Sequence, residues 1–410
     1  MKRAVLAIFA LIIILYGCMK ELRKDDFSED ALSSTIDIQV KMPLGYDFGL
    51  EGVSVQLDDP VSGLHFAGKT DNLGKVSVRV AHGSYKATAV VKHAEPGGLI
   101  YIFNGSVSKI SLTPNDLDLV NVSITLNASL TSQIIIKEAY YGGALNPLTG
   151  KNYANDKYVI LYNNSDEIAY LDSLCFGISD PYNAPGAGKP SPWVKPGTSE
   201  LRDSVPAVSM AWIFPGSGYD NALLPGKEVV ISMNGIDHTK ISPNAVNLGV
   251  AGYWAVYDPV ITKGQAVPES GVKLLKCFWN IGSSNQFTIS MTSPAFFIFT
   301  LGGKSPKQFA ADTYTWHPNQ PEKRTSDCLM VDKNLIIDGV ECFRETTDSK
   351  RLRPEIDNGY AKTTGTGSGE SIHRRVERVV VNEGGTRIIY VDTNNSTLDF
   401  EVKNRPSLAK

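Results

Sequence analysis

Residues 134–174 read IIIKEAYYGGALNPLTGKNYANDKYVILYNNSDEIAYLDSL. Three apolar runs alternate here with loop chemistry. They predict strands over Ile134–Tyr141, Tyr158–Tyr162 and Ile168–Leu174. A Gly/Asn/Pro loop separates the first two. The turn at Asn163–Glu167 comes from Asn, Ser and Asp side chains that bond their own backbone. Further on, Leu224-Pro225-Gly226-Lys227-Glu228-Val229-Val230-Ile231 places a Pro-Gly turn before another strand. A sheet grows outward from these segments in both directions.

The chain has 410 residues, enough for two or three domains. Its hydrophobic content of 42% and charged content of 20% are those of a globular protein. A net charge of −3 argues against general binding of nucleic acid. With Gly 36 and Pro 22, short strands and many turns are expected rather than long helices.

Residues 34–130 alternate with period two. Ile36, Ile38 and Val40 share one face of a strand, as do Val53, Val55 and Leu57, and Val76, Val78 and Val80. The pattern predicts a small antiparallel β-sandwich. Thr70-Asp71-Asn72-Leu73-Gly74 followed by Gly83-Ser84-Tyr85 resembles the signature of carboxypeptidase-regulatory-like or transthyretin-like domains. His65, His82 and His93 are scattered without a ligand set.

The start of the chain reads as a leader. Met1-Lys2-Arg3 is basic and Ala4–Leu15 is apolar, too short for a comfortable bilayer span. Leu15-Tyr16-Gly17-Cys18 resembles a bacterial lipobox. That resemblance implies a signal peptide over 1–17, acylation of Cys18 and a lipid anchor in the outer membrane. Residues 18–33 are charged and read as a flexible tether. Asp25-Asp26 resembles the surface-export signal of Bacteroidetes lipoproteins, implying surface exposure.

Cys175, Cys277, Cys328 and Cys342 remain. Export permits disulfides with three possible pairings, Cys328 and Cys342 being closest in sequence; buried thiols are the other reading. No CxxC or Cys/His spacing indicates zinc.

The main domain, residues 131–410, resembles a lamin-tail domain, an immunoglobulin-like sandwich. The matching text is Ile134-Ile135-Ile136-Lys137-Glu138, Tyr158–Asn163, Asn164-Ser165-Asp166 through Leu171, and Leu224–Ile231. Ile160 stands where that family has Glu. Phe176–Asn221 is proline-rich and reads as a long irregular insertion. Strands are also expected near Gln286–Ser290 and Ala295–Leu301, with Phe296–Phe299 in the core. Val376–Val381 and Thr386–Val391 flank Gly384-Gly385 as a hairpin.

Ser371-Ile372-His373-Arg374-Arg375-Val376, then Arg387-Ile388 and Tyr390 through Phe400, resembles a Bacteroidetes lipoprotein family known only as domain of unknown function 4876. That resemblance implies an exported β-rich protein, often found with outer-membrane transport systems. The fold class expected overall is mainly β: a small sandwich followed by a larger, immunoglobulin-like one with long loops.

No nucleophile elbow, HExxH or phosphate loop is present. His373 lies near Ser371 and Arg375, and a polar strand entrance is expected there rather than a dyad, on the reading that neighbouring strand residues face opposite ways. Asp392, Asn394, Ser396 and Asp399 have the alternating oxygens of a calcium loop but lack its glycine and final acid, so an Asx-rich turn is expected. Trp193 and Trp212, inside the insertion, are candidate contacts for a sugar or a partner protein. No catalytic residue, metal or cofactor is expected. The function expected is a non-enzymatic surface lipoprotein accessory to a TonB-dependent outer-membrane receptor. A structural or adhesive module is the alternative.

Overall fold

The computed structural model describes residues 33–94, 100–113, 120–130, 132–184, 194–195, 197–198, 200–281, 285–312, 328–382 and 385–409. Cys18 and Trp193 therefore lie outside the described residues.

The alternation around Ile36 does what period two requires. Ser33–Lys41 buries every second residue, and Ile36, Ile38 and Val40 are at most 1% exposed. It pairs antiparallel with Lys75–Ala81, Ile36 opposite Val78. On its other side it pairs with Val120–Thr125, Ile36 opposite Val120, and this pairing is parallel. The expected all-antiparallel sandwich is corrected there. A hairpin forces its two strands to run antiparallel, whereas Val120–Thr125 arrives by a long excursion and is free to run alongside. The Asp71 turn works through its carboxylate, which accepts the N–H groups of Leu73 at 2.9 Å and Lys75 at 2.8 Å. Gly74 follows in the left-handed region, at φ +74°. Ser54–Asp58 and His65–Lys69 form a second hairpin.

The chain divides into two units. The smaller takes residues up to Lys41, Asp47–Ala89 and Ser106–Thr125. The larger takes Met42–Tyr46, Val90–Gly105 and Leu126–Lys410. Segments expected in the small domain thus belong to the large unit. The reason is pairing: Tyr101 through Asn104 is bonded to Leu130 through Asn127, and a strand follows its hydrogen-bond partner.

The larger unit is built on two sheets. One runs in the order Lys273–Leu274, Trp254–Ala255, Glu228–Ser232, Tyr158–Asn163, Ile134–Tyr140, Ser371–Arg374, Phe400–Lys403. The other runs Lys276–Asn280, Met210–Ile213, Cys175–Ile178, Ala295–Phe299, Ile336–Glu341. Ile136, Val159, Leu161 and Ile231 of the first share a core with Phe176, Trp212, Phe296 and Ile298 of the second. The opposite face of the first sheet is covered as well: Ile160 packs with Tyr140, Tyr158 and Val246. Every residue of Tyr158–Asn163 is buried, as expected of a strand covered on both faces. An apolar residue suits position 160 for that reason.

Several expected elements change. Only Ala169–Tyr170 of the third run is strand; Leu171 to Leu174 closes a turn, Leu174 N–H to Leu171 O at 2.9 Å. Gln286–Ser290 is not a strand, although Phe287 and Ile289 are buried. The insertion supplies two strands, Ser204–Ala207 and Met210–Ile213, the second inside the five-stranded sheet. The hairpin Val376–Asn382 with Gly385–Tyr390 forms in the expected place. Cys175, Cys277, Cys328 and Cys342 form no disulfide and are all buried. Three of them lie in hydrophobic clusters, where a thiol packs as a small apolar group.

Gly359 meets the Asx turn of residues 394–397 at close quarters. A Cβ there would stand 2.1 Å from Asn395 Oδ1 and 2.5 Å from Thr397 N. Gly359→Ala should destabilise by about 1–3 kcal/mol. Urea unfolding would read this as a lower midpoint at an unchanged slope.

Candidate ligand-binding cleft

The distinctive C-terminal text resolves into an internal ion network. Arg374, on a four-residue strand buried throughout, is 3% exposed. Its guanidinium donates to Asp338 at 2.7 Å, Asp392 at 3.0 Å and Asp399 at 3.1 Å. It also donates to the carbonyls of Ile136 at 2.9 Å and Val391 at 3.0 Å. Asp392 and Asp399, read in the sequence as a calcium-like spacing, are thus held by an internal cation. Asn395 caps the short helix Ser396–Asp399, and Asp399 accepts the N–H of Thr393 at 3.0 Å. Among the described residues no His, Cys, Asp or Glu group is arranged to hold a metal ion.

Three carboxylates around one guanidinium leave the cluster short of positive charge. Burial pushes Asp338 up to about 6 and Asp399 up to about 7, against the pull of Arg374. Both folded values lie above the unfolded value near 3.8. The folded state therefore binds more protons between about pH 4 and 7, and this contribution to stability is present at low pH and lost as pH rises through the window. Asp399→Asn removes one such site. Its stability should fall less steeply between pH 5 and 7 than the wild type's, by up to about 1.4 kcal/mol per pH unit. Urea midpoints across that range would show it; parallel slopes would refute it.

The Ser371–His373 pair corrects the expectation from the sequence. Residues two apart on a strand share a face, and Ser371 Oγ lies 2.7 Å from His373 Nε2. The arrangement is nevertheless not a nucleophile and its base. Glu138 Oε1 approaches the same nitrogen at 3.5 Å instead of orienting the opposite one. Glu138 is held by the Tyr158 hydroxyl at 2.5 Å and by Ser407. Ser371 and Glu138 are 0% exposed and His373 is 6% exposed, so a substrate would have no access. Burial holds the His373 imidazole below its usual value.

An open concavity lies elsewhere in the larger unit. A cleft of about 1060 Å³ is walled on one side by Tyr46 and Tyr101 and on another by Tyr170, Asp172 and Ser173. Lys304, Lys333, Asn334 and Glu355 border it, and Ile134, Leu174, Leu301 and Ile356 contribute buried apolar side chains. Tyr170 is placed by pairing of Ala169–Tyr170 with Ala222–Leu223; Ala169 points inward and Tyr170 outward. Its ring meets Tyr219 edge-on at 5.0 Å. Tyr46 meets Tyr101 edge-on at 5.6 Å and Phe103 at 5.0 Å. Edge-to-face pairs fix ring orientation.

The charged groups of the cleft are already engaged. Asp172 accepts the N–H groups of Asp220 at 3.1 Å and Asn221 at 2.8 Å. Glu355 takes Arg353 at 2.8 Å and Lys333 at 3.1 Å.

The tryptophan chosen from the sequence is core. Trp212 is 0% exposed, because Met210–Ile213 runs in the middle of a sheet and its ring packs edge-on against Phe287 at 5.6 Å. Trp254 and Trp279 are buried too. The tyrosines of the cleft were not singled out in the sequence. The signal for Tyr170 was present: it occupies the outward position between inward Ala169 and Leu171.

Residues 224–407 match the family described as Protein of unknown function (DUF4876). The DUF4876 match takes in the whole Arg374 network and part of the cleft lining. A DUF4876 family protein from Bacteroides thetaiotaomicron has a similar solved structure: 22% identity, 92% of this chain and 96% of that chain covered, TM-score 0.55. That likeness extends the shared fold well beyond the DUF4876 match. A DUF3823 family protein from Parabacteroides merdae also matches, at 15% identity over 37% of this chain and 67% of that chain, TM-score 0.17. No curated protein matches the chain.

Proposed function

We propose that this protein is a non-enzymatic, cell-surface lipoprotein that captures a ligand for an outer-membrane transport system. The cleft carries the reading: about 1060 Å³, tyrosine-walled, with Asp172 and Glu355 engaged in internal bonds. Such a site is built for binding; its carboxylates are tied down rather than poised for proton transfer. The lipobox-like Leu15–Cys18 supports an acyl anchor and a place at the outer membrane. The strand-and-turn text at Ile134–Leu171 supports a lamin-tail-like larger unit, and the Asp71 and Tyr85 text a carboxypeptidase-regulatory-like smaller one.

The test is affinity purification of the tagged full-length protein from detergent-solubilised outer membranes, with co-purifying chains identified by mass spectrometry. A stoichiometric TonB-dependent receptor is the expected result. A protein that emerges acylated but alone would overturn the transport part of the reading in favour of an adhesive module.

A further inference from the structure

We infer that the tyrosine-walled cleft of the larger unit binds an uncharged, polyhydroxylated chain, a neutral oligosaccharide. The inference rests on the proposed reading of this cleft as the ligand site and names the ligand's chemistry.

Charge balance comes first. The titratable lining, tyrosines aside, is two lysines, Lys304 and Lys333, and two carboxylates, Asp172 and Glu355, a formal sum of zero. Both carboxylates are occupied by neighbours of this chain. A ligand recognised mainly through charge would need an unbalanced field, and this lining supplies none.

The rings come next. Tyr46 and Tyr101 stand on one wall and Tyr170 on another, each pinned by an edge-on neighbour. A sugar ring has an apolar face of C–H groups that packs on an aromatic ring, and its hydroxyls need partners that both donate and accept. Asn127, Gln133, Asn334 and Asn394 line the same cleft, and each side-chain amide carries both functions. The hydroxyl of Ser173 adds another. The volume exceeds the usual range for one small ligand, about 300–1,000 Å³, so the occupant is longer than a monosaccharide. A neutral peptide is the rival occupant. The side-chain amides and fixed rings favour hydroxyls over peptide groups, which bind best along an open strand edge.

The experiment is affinity electrophoresis of the detergent-solubilised full-length protein. The gels contain starch, β-glucan, xylan or mannan as neutral polymers, or polygalacturonate or heparin as acidic ones. Retardation by at least one neutral polymer is expected, unchanged between 50 mM and 500 mM salt, because screening acts only on charge. Tyr170→Ala should weaken it about tenfold and Tyr170→Phe should preserve it. Tyr219→Ala, at a side chain 79% exposed, leaves the core untouched and should weaken binding through the orientation of Tyr170. Retardation by acidic polymers alone, salt-sensitive retardation, or retention unaffected by both alanine variants would overturn the inference. Failure with every polymer alongside a co-purified receptor would overturn the ligand class and leave the transport reading standing. An unsupplemented protein eluting with a bound peptide, identified by mass spectrometry, would replace the oligosaccharide with the rival.

Discussion

Arg374→Met should cost about 3–5 kcal/mol, enough to leave the larger unit marginally folded at 25 °C. The side chain removed is itself nearly inaccessible, and the loss comes from what it leaves behind. Asp338, Asp392 and Asp399 are 3%, 5% and 1% exposed and would stand together without a counter-charge. The carbonyls of Ile136 and Val391 would each lose a donor. A domain holds only about 5–15 kcal/mol in all, so a loss of this size decides whether it folds. Protonation offers the carboxylates an escape, and the Met variant should therefore recover part of its deficit as pH falls from 7 to 5. Arg374→Lys is the informative companion. A lysine keeps the charge but cannot reach three carboxylates and two carbonyls from one planar fork. It should fall between wild type and Met. A Met variant within about 1 kcal/mol of wild type in urea would show that the network contributes nothing net.

The second large effect is expected at Glu341. It is 0% exposed, accepts the N–H groups of Arg351 and Leu352 at 2.9 Å each, and meets the Arg351 guanidinium at 2.7 Å. Arg351, 1% exposed, also donates to the carbonyls of Pro181 and Ser293, each at 2.8 Å. Glu341→Ala should destabilise by about 3–5 kcal/mol by leaving a buried guanidinium and two backbone donors unmatched. Glu341→Gln keeps an acceptor and should cost less. In the cycle with Arg351→Met the double variant should be more stable than Glu341→Ala alone, because it no longer buries an unpaired cation. Strict additivity would mean that the two side chains do not depend on one another.

These two clusters explain why the end of the chain is so distinctive as text, and why that text was hard to interpret. Alternation and turn chemistry are local properties, so Ser33–Lys41, Tyr158–Asn163 and the hairpin at 376–390 could be read directly. Arg374 and Asp338 are 36 residues apart, and Glu138 and Ser407 are 269 apart. No window of sequence joins them. An acidic run can serve a bound ion or an internal arginine, and only the fold distinguishes the two. Trp212 shows the same limit. Its proline-rich surroundings read as surface loop, yet Met210–Ile213 is the sheet-filling part of that segment. The cleft was least legible of all. Tyr46, Tyr101 and Tyr170 are brought together from three separated segments, and only Tyr170 carried a local sign of pointing outward.

The parallel pairing of Ser33–Lys41 with Val120–Thr125 sets an order of events on a chain that emerges N-terminus first from a ribosome or a pore. The first strand of the smaller unit has its antiparallel partner early, at Lys75–Ala81, but its other edge stays open until residue 125 has followed. Closing so long a loop is slow compared with making a hairpin. For that interval the chain presents an unfinished edge rich in Ile and Val, the kind of surface that recruits a chaperone or another nascent chain.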